Sequence, residues 1–276
     1  MRSALACVVV AACTTPYDPV AEIPHAEFAT TSDAVAAILA DAPGTRVYAI
    51  GEYHPTAELT PRSSPLARFT TEIVGQLEPR AQHLVVEAWF DPSCVRGADP
   101  VQTQIQAATS RPPSQQSDLA GLVMRAGQGM QLHGLPMTCI EHGSVLDAKG
   151  RVDFWRLLAL VTEKLHDTTE ALVAQGRDVI VYGGALHNDL YPRWPLEELS
   201  YARSLATEVP VLELDLVVPE VVAPMASIRQ ERWFPLLARA SPDRVVVWER
   251  GPGSYVLILP AQSDAVARVA QADDLP

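Results

Sequence analysis

The chain has 276 residues, a net charge of −12, a pI near 5.0 and 48% hydrophobic side chains. A chain of this length and apolar content can bury a large core, and one α/β domain of this size is ordinary. The acidic balance, with no run of Lys or Arg, excludes a phosphate-backbone binder, because such proteins present a basic face to the polyanion; no nucleic-acid partner is expected.

Residues 1–12 carry one basic residue, Arg2, and an apolar stretch too short to cross a bilayer, the pattern of a processing signal. The signal ends in Val10-Ala11-Ala12-Cys13, which resembles a bacterial lipobox with Cys13 as the acylated residue. Residues 13–30 then read as a lipidated, flexible tether and 31–276 as a single domain. That implies a bacterial cell-envelope protein attached to the membrane by its lipid, in the outer membrane facing the periplasm. In that oxidising compartment Cys94 and Cys139 are either a disulfide or two free thiols, since sequence does not give their separation.

Helical spacing is expected over Ser32–Leu39, before a loop signal at Asp41-Ala42-Pro43-Gly44 and a strand at Val47–Ile50. A helix follows over Arg62–Leu77, stopped by Pro79, and then a doubly buried strand over His83–Val86. The polar, proline-rich stretch Asp91–Ser117 reads as a long loop with a short helix at Val101–Ala108. Further along, a helix at Leu119–Met130 precedes a strand at Pro136–Ile140, and Asp153–Ala174 is the clearest helix, with Gly176 as its stop. The remaining pattern is a strand at Asp178–Tyr182, a helix at Leu196–Leu205, a strand at Val209–Leu216 and a helix at Ile228–Arg239 kinked at Pro235. Two last runs, Arg244–Trp248 and Tyr255–Leu259, are joined tightly enough to form an antiparallel hairpin. The fold class expected is α/β, a mainly parallel sheet flanked by helices with a C-terminal antiparallel hairpin at one edge.

Four apolar runs end in acids or histidines: Gly51-Glu52-Tyr53-His54, Glu87, Glu141-His142, and Gly183-Gly184-Ala185-Leu186-His187. In a parallel sheet these ends share one rim, where open α/β folds place ligand sites. Glu52 and His54 are two residues apart, so an extended backbone points both to one side and Tyr53 to the other. A carboxylate at Glu87, between Val86 and Trp89, is costly unless paired or coordinated. The glycines before His187 let the backbone swing the imidazole over the rim. The secondary candidates are Glu141, His142 and Asp215, with Asn188 and Asp189 able to orient His187 or simply to turn the chain. His25, His83, His133 and His166 are assigned ordinary packing or solvent roles. No Gly-x-Ser-x-Gly elbow, no Gly-x-x-x-x-Gly-Lys loop, no His-Glu-x-x-His and no zinc-finger cysteine pairs are present.

The order Gly51-Glu52-Tyr53-His54, then Glu87, then Gly184-Ala185-Leu186-His187 resembles the superfamily of erythromycin esterases, Tiki and TraB proteins and ChaN haem-binding lipoproteins. The ChaN-like branch is the nearest in pattern, although the paired histidines that often follow its first motif are replaced here by Thr56, Ala57 and Glu58. The resemblance implies two activities at one rim. For hydrolysis of a small-molecule or peptide substrate, Glu52, His54, Glu87 and His187 would bind a divalent metal ion or activate water. For haem or iron handling, Tyr53 or a histidine would be the axial ligand. A non-catalytic envelope interaction module is the third expectation.

Overall fold

The structure is a computed structural model that describes residues 20, 23–54, 64–89 and 113–262. Within them one eight-stranded mixed sheet has helices on both faces, with strand order β1-β7-β8-β6-β2-β5-β3-β4. The strands are β1 (Ala26–Phe28), β2 (Val47–Glu52), β3 (His83–Trp89), β4 (Gln131–Leu135), β5 (Val179–Gly184), β6 (Val211–Val217), β7 (Val245–Gly251) and β8 (Ser254–Ile258). From β8 to β4 every neighbouring pair is parallel, while β7 runs antiparallel to both β8 and β1. The expected hairpin therefore forms, but it is inboard. The outermost strand on that side is β1, drawn from residues that the sequence reading assigns to the tether, and Val20 before it is buried in the core.

The central strands β2 and β5 are buried along their whole length, which is why they read as unbroken apolar runs. Alternate side chains feed two cores. Tyr48, Ile50, Leu84, Val86, Ile180, Tyr182, Leu212 and Leu214 face a core shared with α1 (Thr31–Asp41) and the segment from α2 (Pro65–Arg68) through a π-turn (Phe69–Ile73) to α3 (Val74–Leu77). Leu122 and Ala126 of α4 (Pro113–Ala126) join the same side. Val47, Ala49, Val85, Val179 and Val181 face the other core, against α6 (Phe154–Ala174) and α8 (Tyr201–Leu205).

Helix α4 begins at Pro113, inside the stretch expected as loop, and ends at Ala126, short of Met130. Three further elements differ from expectation, each for a local reason. The strand before residue 136 is Gln131–Leu135, an edge strand whose half-exposed polar residues hide its period. Residues expected in that strand instead open α5 (Cys139–Ser144), because Thr138 and Glu141 form a reciprocal capping box. The helix expected at Leu196–Leu205 is broken into a 3-10 turn (Glu197–Leu199) and α8 by Ser200, whose extended backbone lets its hydroxyl accept from the Arg203 amide. The third is Ile228–Arg239, where successive i→i−3 turns lead into a 3-10 helix, Phe234–Arg239, with Pro235 near its start. The short helix expected at Val101–Ala108 lies outside the described residues.

Helix α6 matches its expectation closely. Asp153 caps its first turn, accepting from the amides of Trp155 and Arg156, and Gly176 lies beyond its last turn with φ +77°. Among the described residues no helix is long and apolar enough to cross a membrane. Leu165 sits fully buried between α6 and the sheet. Leu165→Ala should lower the unfolding free energy in urea by about 2–5 kcal/mol, the ordinary range for an uncompensated core cavity.

Candidate functional site

Parallel pairing brings the carboxyl ends of β6, β2, β5 and β3 side by side, with Glu52 in register with Gly184 and Gly51 with Asp215. Three glycines at these ends leave gaps in the side-chain layer, and polar groups occupy them. A Cβ on Gly183 would lie 2.9 Å from Glu87 Oε2. One on Gly184 would lie 3.1 Å from His54 Nε2, 3.6 Å from Glu87 Oε2 and 3.7 Å from His187 Cδ2. One on Gly51 would lie 2.2 Å from Asp215 Oδ1. Glu52, His54, Glu87 and His187, named from sequence, thus gather around the end of β5.

Each member is held by a distinct partner. Glu52 is buried and accepts a hydrogen bond from the Tyr182 hydroxyl, while its other carboxylate oxygen lies 3.0 Å from His54 Nδ1. His54 is partly exposed, with its Nε2 turned toward Gly184. Glu87 is fastened by the Gly184 amide, which donates to Oε2 at 2.7 Å. His187, in the single-turn α7 (Ala185–Asn188), is buried. Its Nδ1 lies 2.8 Å from Thr162 Oγ1 and 3.2 Å from the Leu199 carbonyl. A carbonyl only accepts, so Nδ1 carries the proton, and the Nε2 edge is left toward the cluster. Desolvation lowers the His187 pKa, with His54 adding to the effect and Glu87 and the Leu199 carbonyl opposing it; the ring stays neutral.

The other named residues have different places. Tyr53 points away from the cluster and packs on Trp233, with ring centroids 5.7 Å apart. Burial, and then Asp215, pushes its phenol well above the ordinary value, so it is not presented as an open axial ligand. Glu141 belongs to the α5 capping box and pairs with Lys164 at 2.5 Å. Those bonds hold its carboxyl down at about 2, so it is a structural anion on a helix start and not a member of the rim cluster. Asn188 donates to the Ile50 carbonyl at 2.6 Å and so ties the turn after β5 to β2. Asp189 accepts from the Tyr191 amide and pairs with Arg250 at 2.6 Å. The side chains of His142 and Cys139, together with Cys94 and Cys13, lie outside the described residues.

Asp215 belongs to a second network on the far side of β2. Arg250 reaches Asp189, Asp215 at 3.2 Å and Glu213 at 3.4 Å, and Glu213 also accepts from the Leu190 amide at 2.9 Å. One guanidinium thus faces three carboxylates. Desolvation raises Glu213 to about 7 against the pull of Arg250, and raises Asp215 well above the ordinary value.

Thr162, Tyr182, Glu213 and Arg250 were not picked out from sequence. The available signals were a polar residue on the buried stripe of α6, a tyrosine ending an apolar strand, and Leu212-Glu213-Leu214-Asp215, which puts two carboxylates on one face of a buried strand.

The donor set around Gly184 has the chemistry of a divalent-ion site, two imidazoles and a carboxylate, and both histidines have Nδ1 against another polar group. The spacing does not fit. In a tetrahedral zinc site neighbouring nitrogens and oxygens sit about 3.4 Å apart. Among the described residues the three side chains whose ligand atoms all lie within 4.8 Å of one another are His166, Asp167 and Glu170, on the outer face of α6. The Gly184 cluster is wider, and its chemistry follows from its own acids and bases.

No protein-family model matches the chain, and no curated protein matches it. Among solved structures, the type III effector HopBA1 is similar with a TM-score of 0.44 and 14% identity, over 88% of this chain and 98% of that one. A likeness at that level carries no residue roles across.

Glu213 binds its proton more tightly in the folded chain, at about 7, than at its ordinary value of 4.5. Its stabilising contribution is therefore complete below about pH 4.5 and lost as pH rises through about 7, by up to roughly 3 kcal/mol. Unfolding free energy measured from pH 5 to 8 should fall with rising pH across that window, and Glu213→Gln should flatten the slope.

Proposed function

We propose that this rim is a water-activating, hydrolase-like site for a small-molecule or peptide substrate. One observation carries the reading. His54 has Nδ1 3.0 Å from the buried Glu52 carboxylate and turns Nε2 toward the ground above Gly184, where Glu87 and His187 also arrive. A carboxylate beside an imidazole stabilises the imidazolium that forms when the outer nitrogen takes a proton. His54 is also the more open of the two imidazoles, so it can meet a water molecule at the rim.

In this scheme Nε2 of His54 takes a proton from water as the water oxygen bonds to the substrate carbonyl carbon, Glu52 balances the charge on the ring, and the imidazolium returns that proton to the leaving oxygen or nitrogen as its bond to the carbonyl carbon breaks. The Tyr182 hydroxyl holds the other Glu52 oxygen and keeps the carboxylate from turning away. His187, neutral with its Nδ1 proton committed to Thr162 and Leu199, offers a second basic nitrogen toward the water. Glu87, clamped by the Gly184 amide, supplies the negative charge that keeps His54 and His187 directed inward. Water is the nucleophile in this scheme, since the side-chain groups nearest Gly184 are two imidazoles and a carboxylate, which are bases.

Hydrolysis of a panel of nitrophenyl acyl esters and peptide amides tests the scheme. His54→Ala and Glu52→Gln should each lower kcat/KM roughly 10²- to 10⁴-fold, the usual worth of general-base catalysis, with melting temperature nearly unchanged. Turnover that survives His54→Ala in a folded protein overturns it. Loss of turnover on chelation, restored by a divalent ion, would transfer the site to a metal mechanism.

The lipobox carries the rest of the reading: we infer a lipid-anchored protein of the bacterial cell envelope, in the outer membrane facing the periplasm. Radiolabelled palmitate should enter the wild-type chain in a bacterial host and be absent from Cys13→Ser; equal labelling rejects the anchor.

A further inference from the structure

At the opposite rim, where β3 and β4 begin, His83, Gln82, Gln131, Gln128 and Arg177 are among the residues that border a cavity of about 310 Å³. Nothing in the proposed hydrolytic scheme uses it. Its lining contains no carboxylate, in a chain with 33 acidic and 21 basic residues. The nearby acids are already matched: Glu78, beneath Gly129, pairs with Arg125 at 2.7 Å, and Asp178 pairs with Arg46. Arg177 makes no ion pair among the described residues, and burial followed by the Arg177 charge disfavours a second proton on the His83 ring.

The imidazoles explain what the cavity would accept. His83 Nδ1 and His133 Nε2 are 3.0 Å apart, and the ring centroids only 5.3 Å apart with planes inclined by 22°. The difference is no more than the two ring radii, so the rings meet edge to edge and share one proton along the line between them. If His133 donates, His83 keeps its own proton on Nε2, its remaining ring nitrogen, and Arg177 lines the same cavity. A bound oxyanion selects that tautomer, because it needs a donor and not a lone pair. A cation is disfavoured, since the two facing nitrogens point at each other and Arg177 stands alongside.

We propose that this cavity binds an oxyanion, the carboxylate or phosphate of a small polar molecule, between Arg177 and the Nε2–H of His83, with His133 fixing the donor tautomer. The three glutamine side chains supply donors and acceptors for hydroxyl or amide groups next to the anion. The site shares a strand with the hydrolytic cluster but none of its residues, so it stands or falls alone.

The test is titration of the folded chain with inorganic phosphate, and separately acetate, at constant ionic strength, following imidazole ¹⁵N signals and heat. Saturable binding that moves the His83 Nε2 signal to the protonated tautomer is expected. Arg177→Gln should weaken it roughly tenfold or more, as for a lost charge-assisted hydrogen bond, and His133→Phe should weaken it less while freeing the His83 tautomer. His54→Ala should bind as wild type does. An absent saturable response, or equal affinity in Arg177→Gln with an unchanged melting temperature, overturns the proposal. A response to phosphate but not acetate assigns the phosphate class, and the reverse assigns the carboxylate class.

Discussion

Everything at the carboxyl rim depends on backbone without side chains at the ends of two adjacent parallel strands. Gly51 precedes the last residue of β2, and Gly183 and Gly184 close β5, so the layer that elsewhere is filled by Val, Ile and Leu has three openings. Each opening is filled from a neighbour: Asp215 over Gly51, Glu87 over Gly183, and His54, Glu87 and His187 around Gly184. Polar groups can therefore sit at the level of the core without pushing the strands apart. A methyl group at Gly51 would meet both the Asp215 carboxylate and the Ala185 backbone, which leaves little room for relaxation.

Desolvation then sorts these groups into different roles. On the Gly184 side burial keeps His187 neutral behind Thr162, while His54 lies nearer solvent beside the Glu52 carboxylate. On the other side of β2, a single guanidinium serves three carboxylates, and burial keeps protons on Glu213 and Asp215 that exposed acids would have lost. The same network braces the turn bearing His187, through Asp189 and the Leu190 amide. Rigidity at the turn that carries His187 is thus tied to a buried charge cluster on the other side of β2.

Most of the sheet was legible because its central strands are buried on both faces and therefore apolar throughout, and because α6 carries a long uninterrupted stripe. The convergence of Glu52, His54, Glu87 and His187 followed from parallel strands alone. What escaped were partners from elsewhere in the chain. Thr162 looks like any helical threonine, Arg250 like a turn residue in a hairpin, and only three-dimensional packing sets them beside His187 and Asp215. Edge strands were misplaced or missed for a related reason: β4 is half solvated and β1 is three residues long, so neither shows the period of a buried strand. Local capping chemistry, at Thr138 and Ser200, overrode the apolar pattern that suggested a strand and a continuous helix.

Strand β3 begins at His83, beside the glutamine-lined cavity, and reaches Glu87 four residues later at the Gly184 cluster, with Val85 between them on the same face. Side chains alternate along it, so adding or deleting one residue between these positions would invert one end relative to the other. Evolution can lengthen the loops on either flank of this strand, but the stretch from 83 to 87 acts as a ruler whose length has to be conserved for both ends to keep their chemistry.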